Sequence, residues 1–292
     1  MSQILGSTPS GDWVRRQKRV DRLQTQYPHA GDMLAFYKSL LGQQSELFRK
    51  TVRSRMFDVA VSSEQFQGQK VNVYLDRLPP EPRDRAFTAF LKGLPEPSTE
   101  VLQAIATRLL EAPISASRLL AAVVSGHPID EVAAELKCDI LSLEFFPRAF
   151  LQPMAEALVQ RMGHGERREG DGITVCPYCG SPPQVSVLQD DVDARGKRTL
   201  LCSLCASAWS FSRSCCPQCS EQRAEQLQYH ETEAWPHVRV EECRSCQTYI
   251  KAVDLRRNGL AVPLVDELAS VELDLWVCEQ GLVKLQRNVL GF

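Results

Sequence analysis

Cysteine is nearly missing from the first half of this 292-residue chain: of 11 cysteines, only Cys138 precedes Cys176. Long apolar runs are missing too. The longest unbroken aliphatic stretch, Leu119 to Val124, is far too short to cross a bilayer, so no membrane span is expected. The opening residues carry no apolar h-region, so no secretory signal is expected. Arg15-Arg16 is a twin arginine, but polar and charged residues follow it; it reads as the exposed face of a helix. Histidine is scarce, with five in all and no Ser/His/Asp or His-x-x-x-His arrangement. No glycine-rich phosphate loop is present, and the scattered carboxylates offer no acid–base pair. These absences point away from an enzyme.

What is present lies between Cys176 and Cys246. Four Cys-x-x-Cys pairs stand there: Cys176/Cys179, Cys202/Cys205, Cys216/Cys219 and Cys243/Cys246. The first two pairs are separated by 22 residues and the last two by 23. An offset of 40 or 41 residues maps each pair of the first unit onto the second, as an internal repeat does. Each Cys-x-x-Cys puts two sulfurs on one tight turn. Two such turns joined by a hairpin offer four thiolates at tetrahedral corners. The spacing favours adjacent pairing into two ribbons, with interleaved pairing as the alternative. In an oxidising compartment such a cluster could be a disulfide framework. Chain length, the lack of an h-region and the ligand spacing favour metal-bound thiolates in a reducing cytoplasm. Tetrahedral four-sulfur ligation suits zinc and iron alike. Cys215 stands beside Cys216 but breaks the spacing, so it reads as an incidental small residue. Cys138 and Cys278 read as core residues. His230 and His237 fall in the second ribbon and read as strand or loop residues without a ligand role. Trp209 and Trp235 read as packing residues.

Charge divides the chain. Residues 1–170 carry 22 Lys+Arg against 20 Asp+Glu, whereas residues 171–292 carry 12 against 16. Two tetrathiolate sites with divalent ions would bring the second region to about −8. That argues against a phosphate backbone as its partner, so no nucleic acid is expected.

Hydrophobic periodicity sets the architecture. Residues 1–12 read as a disordered start. A basic amphipathic helix is expected over Asp12 to Gln26, and another carries Met33, Phe36, Tyr37, Leu40, Leu41, Leu47 and Phe48 at helical steps. Leu78 to Pro82 reads as a rigid extended piece, and Arg83 to Leu91 as a helix. Ser98 or Thr99 caps the next helix. Helices over Ser115 to Val124 and Asp130 to Leu136 follow. Over Ser142 to Met162, Pro147 and Pro153 are expected to start or kink a helix. Gly163 to Gly172 reads as a linker. Strands are then expected at Val185–Leu188, Arg198–Leu201, Ala208–Phe211, Leu227–His230, His237–Val240 and Thr248–Val253. An acidic turn over Asp190 to Lys197 joins the first two strands. A last helix spans Asp266 to Gln280, with Leu268, Val271, Leu275 and Cys278 inward. The fold class is α+β. A helical domain (1–165) precedes two rubredoxin-like or zinc-ribbon β units (173–213 and 214–256), and a C-terminal helix and tail (263–292) follows.

Several stretches carry a resemblance. Cys176-Pro177-Tyr178-Cys179-Gly180-Ser181-Pro182-Pro183 resembles the signature of the formate dehydrogenase accessory protein family, FdhE. So do Cys202-Ser203-Leu204-Cys205 with Trp209, Arg213, Cys216 and Cys219. Cys243 to Cys246, Tyr249-Ile250-Lys251, Asp266 to Ser270 and Leu273-Asp274 are similar as well. The resemblance implies a cytoplasmic, non-catalytic maturation factor for respiratory formate dehydrogenases. It further implies contact with their catalytic subunit before export, and two metal sites in which iron is the expected ion. A rubredoxin-like redox protein acting in cofactor or metal-centre insertion is the alternative. The chain departs from the family in one respect. Glycine follows the second cysteine of a knuckle only at Gly180; Ala206, Ser220 and Gln247 stand at the other three places. Glycine eases a positive-φ turn, so those three knuckles are expected to be looser.

Overall fold

The computed structural model describes residues 9–54, 71–76, 78–96, 98–162, 172–192 and 195–292. The first eight residues of the expected disordered start and all but the last residue of the expected linker lie outside these. So do two residues of the turn expected between Asp190 and Lys197. Two compact units emerge: residues 24–165, and residues 1–23 together with 166–290. No helix among the described residues is long and apolar enough to cross a membrane.

The unit of residues 24–165 is helical. It comprises α2 (Gly31–Arg53), α3 (Val71–Asp76), α4 (Pro80–Lys92), α5 (Glu100–Glu111), α6 (Pro113–Ser125), α7 (Asp130–Glu135) and α8 (Ile140–Met162). Thr99 caps α5, its Oγ1 accepting from Leu102 N at 3.3 Å. Gly126 ends α6 in the left-handed region at φ 72°, a conformation open to glycine at little cost. The central helix is α8, buried almost all round. Phe146, Phe150, Met154 and Leu158 are each 0% exposed, and Phe87 and Phe90 pack on Phe150 at 5.0 and 5.7 Å between centroids.

Pro80 and Pro82 depart from expectation, and of the two arrangements expected for Pro147 and Pro153 the structure excludes a helix that starts at them. Pro80 and Pro82 do not hold the chain extended; they occupy the first turn of α4, where a missing N–H costs nothing. Pro147 and Pro153 lie inside α8 rather than at its start. Pro153 removes the amide that would bond the carbonyl four residues back, that of Ala149. Gln44 of α2 supplies a donor in its place, Nε2 donating to Ala149 O at 2.8 Å. A side chain from a neighbouring helix therefore repairs the broken ladder.

The other unit is built on one sheet. Its strands are β1 (Pro183–Gln189), β2 (Lys197–Cys202), β3 (Ala208–Ser210), β4 (Leu227–Glu231), β5 (Val238–Cys243), β6 (Thr248–Asp254) and β7 (Val283–Lys284). Each repeat forms an antiparallel meander, and the two meanders fuse where β1 pairs with β6 in parallel. The order is β3-β2-β1-β6-β5-β4, with β7 added beside β6. The two expected ribbons are thus halves of a single sheet.

Against this sheet lie α1 (Pro9–Gln26), α9 (Pro263–Ala269) and α10 (Val271–Glu279). The tail is two short helices broken at Ser270, not one. The inward face also differs from expectation: Asp274 and Val277 are buried, whereas Leu275 is 57% exposed and Cys278 is exposed. The twin arginine is another correction, because Arg16 is 2% exposed. Its guanidinium pairs with Asp12 at 2.7 Å and lies over the Trp13 ring at 4.4 Å, which lets a long charged side chain be covered.

Candidate metal centres

The sheet register gathers the cysteines. The knuckle Cys176–Cys179 immediately precedes β1, and Cys202–Cys205 forms the turn from β2 into β3. Pro183 at the start of β1 pairs with Cys202 at the end of β2, so the two knuckles meet. The second repeat copies this, with Leu227 of β4 opposite Cys243 of β5.

The result is two tetrads: Cys176, Cys179, Cys202, Cys205; and Cys216, Cys219, Cys243, Cys246. Within each, all four sulfurs lie within 4.8 Å of one another. Pairing is adjacent, not interleaved. The closest approaches are 3.5 Å (Cys176–Cys205) and 3.3 Å (Cys179–Cys202) in the first tetrad. Both are 3.7 Å in the second, for Cys216–Cys246 and Cys219–Cys243. A disulfide needs about 2.05 Å. Sulfurs around a central ion at about 2.3 Å stand about 3.8 Å apart at the edges of a tetrahedron. The donor set and spacing therefore fit a tetrahedral ion of the zinc or iron type.

Local backbone explains how each knuckle holds its sulfurs. Gly180 N donates to Cys176 O at 2.8 Å, and Ser220 N to Cys216 O at 3.0 Å. Cys176 N donates to Ser181 O, Cys202 N to Ser207 O and Cys216 N to Glu221 O, at 2.8–2.9 Å. The residue after each second cysteine is left-handed in all four knuckles: Gly180 at φ 80°, Ala206 at 52°, Ser220 at 62° and Gln247 at 56°. The three knuckles without glycine are thus not looser; they adopt the same turn at a steric cost of roughly 1–2 kcal/mol each. Amides also point at sulfur. Cys202 accepts from Leu204 N at 3.3 Å, and Cys216 accepts from Gln218 N at 3.3 Å.

The electrostatics of the sulfurs are frustrated in the absence of a cation. Burial pushes Cys202 and Cys205 well above the usual thiol range, and contact with neighbouring sulfurs adds to it. Hydrogen bonds from Cys176, Cys202 and Cys205 pull Cys179 down. In the second tetrad burial pushes Cys216 and Cys243 up. Cys246 is lowered, because hydrogen bonds from Thr248 and the neighbouring sulfurs outweigh its burial. Four thiolates at such distances cannot coexist without a positive ion between them.

Neither histidine joins a tetrad. His230 bonds Glu242 at 2.7 Å, and His237 bonds Asp266 at 2.8 Å. Trp209 and Trp235 are buried, their indole N–H groups donating to Ile173 O at 2.8 Å and Glu272 Oε1 at 2.5 Å.

A second constellation escaped sequence reasoning, which read these residues only as motif. Lys251 is 0% exposed. Its Nζ meets Asp274 Oδ2 at 2.6 Å and Glu267 Oε1 at 3.3 Å. Lys284 pairs with the same two carboxylates, and Tyr249 donates to Asp274 Oδ1 at 2.9 Å. Two ammoniums and two carboxylates balance in the interior. Burial raises Glu267, but Lys284 and Lys251 outweigh it and hold the carboxyl below its usual range. Nearby, Asp266 accepts from Arg19 of α1 at 2.5 Å and meets His237, and these bonds together with Val262 N outweigh burial and lower it. The two networks tie α1, α9, α10 and β7 to β5 and β6. The available signal was a run of charged residues, Asp266-Glu267, in an otherwise apolar helix.

Fold and tetrads define a class: a helical region joined to a double-ribbon sheet with two four-cysteine centres. Comparison with known proteins narrows it. Residues 175–213 match the model of the central domain of FdhE, and residues 214–290 that of its C-terminal domain. A protein FdhE homolog of Haemophilus influenzae is 30% identical over 297 residues, covering 99% of this chain and 91% of its own. One from Aquifex aeolicus is 37% identical over 150 residues, 51% of this chain and 52% of that relative. One from Pseudomonas aeruginosa is 31% identical over 206 residues, covering 69% of this chain and 64% of that relative. The chain thus spans about half to two thirds of these last two. The crystal structure of the FdhE protein from Pseudomonas aeruginosa superposes with a TM-score of 0.73 at 26% identity, covering 97% of each chain. The chain belongs to the FdhE family.

Proposed function

We propose that this chain is a non-catalytic maturation factor for formate dehydrogenase, acting in the cytoplasm on the catalytic subunit before export. The eight cysteines are its metal ligands, one ion per tetrad, iron or zinc. The observation that carries this reading is the gathering of two sulfur tetrads on one sheet in a chain of the FdhE family. Each ion rigidifies a pair of knuckles whose turns are otherwise strained, and so fixes a platform on which a partner docks. The acidic balance of residues 171–292 favours a protein partner over nucleic acid. Pull-down of the purified catalytic subunit, together with formate dehydrogenase activity in a deletion strain, tests the role. Binding and loss of activity are expected; no binding and full activity would end it.

A second reading, electron transfer during cofactor or metal-centre insertion, is favoured by the exposure of Cys219 at one tetrad. An optical spectrum of anaerobically purified protein separates the two. A reducible centre supports electron transfer, and zinc alone removes it.

A further inference from the structure

The two tetrads have the same ligand spacing but different surroundings. In the first, Cys176, Cys179, Cys202 and Cys205 are 0%, 2%, 0% and 3% exposed. Its sulfurs also make hydrogen bonds beyond those already described: Cys179 accepts from Ser181 N at 3.5 Å, and Cys205 Sγ donates to Ser207 Oγ at 3.2 Å. In the second, Cys219 is exposed and Cys246 half-buried. Among the described residues, the Cys219 sulfur meets only other sulfurs of its tetrad, Cys243 at 3.7 Å and Cys246, and no amide or hydroxyl donor. Cys176 also lacks an amide or hydroxyl donor, but it is sealed from water. Cys219 alone combines exposure with the lack of such a donor.

A cavity of about 100 Å³ adjoins the same tetrad, with Cys215, Cys216 and Cys243 in its wall. Arg198, Arg239, Glu241, Glu242 and Arg213 also line it. Glu241 neutralises Arg198 and Arg239 at 2.6 Å each, and Glu242 is held by His230 and Arg244. Arg213 is left without an ion pair among the described residues.

We infer that the second tetrad is an exchange centre and that Cys219 is the ligand that leaves. The inference rests on the reading that each tetrad holds an ion. An external thiol gives its sulfur to the ion as the bond from Cys219 breaks. The proton of that thiol passes to the Cys219 sulfur, so nothing is oxidised or reduced. Cys216, Cys243 and Cys246 hold on while the partner sulfur arrives. The first tetrad, walled off from solvent, keeps its ion and its fold.

The test uses the full-length chain loaded with two equivalents of zinc. Dithiothreitol is added with a chromophoric zinc chelator, and brief pulses of N-ethylmaleimide are mapped by mass spectrometry. Release in two equal phases is expected, the faster by on the order of ten- to a hundredfold, the range that loss of ligand support produces. The fast phase should quicken with dithiothreitol concentration, and Cys219 should be labelled first. A single phase releasing both equivalents, a fast phase indifferent to the thiol, or first labelling within the Cys176–Cys205 tetrad would overturn the inference. A chain that takes up no zinc would instead overturn the metal reading beneath it.

Discussion

The first tetrad is sealed and the second reaches water, although one repeat built both. Cys179 and Cys219 hold equivalent places in their knuckles; one is buried and the other exposed. Their backbones agree, since the following residues, Gly180 and Ser220, are both left-handed. The difference is tertiary. Local sequence sets the turn, and the packing around the turn sets which sulfur water can reach. The buried cluster of charges around Lys251 braces β6 of the second repeat and also reaches the first, where Gln184 of β1 donates to Glu267 at 2.8 Å.

The largest expected effect comes from cutting one ligand in each centre. Cys179→Ser should lose one ion and a substantial part of the ~10–16 kcal/mol that metal binding supplies to small zinc modules. Cys219→Ser should cost less, because its sulfur is the least supported. Metal analysis and thermal unfolding of both variants measure the gap. Equal losses would erase the contrast between sealed and open centres. In both variants the far-UV circular dichroism of the helical unit should persist.

Next comes the buried cluster. Lys251→Met removes one cation from between Glu267 and Asp274 and should cost about 3–5 kcal/mol, the usual penalty for orphaning a buried charge. Denaturant unfolding of the metal-loaded protein measures it. If the second ribbon depends on this cluster, release of zinc from its tetrad should also quicken.

Acid should act on the same region. Asp266, Glu267 and Glu241 all have carboxyls held below their usual range despite burial, Asp266 by His237 and Arg19, Glu267 by Lys284 and Lys251, and Glu241 by Arg198 and Arg239. The unfolded chain therefore binds more protons than the folded one as pH falls. Their stabilisation is complete above the unfolded carboxyl values of about 4 and is lost as pH drops through the lower folded values. A stability profile from pH 6 to pH 2, taken by chemical denaturation, should fall below about pH 4.

The smallest effects concern the knuckles. Ala206→Gly, Ser220→Gly and Gln247→Gly should each stabilise by about 1 kcal/mol, since glycine accepts positive φ without steric cost. Gains of similar size in both centres would show that the turns are alike and that only their coverings differ. A destabilisation at Ser220 alone would place the difference in the turn itself.

Much of this was legible in the spacing. Cys-x-x-Cys at matched intervals places the sulfurs, and alternation such as Val185-Ser186-Val187 places the strands, because both are local. What stayed hidden depends on distant partners. The parallel pairing of β1 with β6 leaves no local mark, so the two ribbons read as separate units. Arg16 read as a surface residue and Lys251 only as part of a motif, because burial of a charge can be seen only once its partner is known. Pro153 reads as the start or kink of a helix unless Gln44 is seen to fill the gap at Ala149. The absence of glycine after three knuckles suggested loose turns, yet tertiary constraint holds Ala206, Ser220 and Gln247 left-handed.

The most direct test of the central claim is the metal content of anaerobically purified, full-length protein, measured beside its free thiols. Two ions per chain are predicted, with eight of the 11 cysteines protected from alkylation. A chain free of metal with all its thiols reactive would contradict the account.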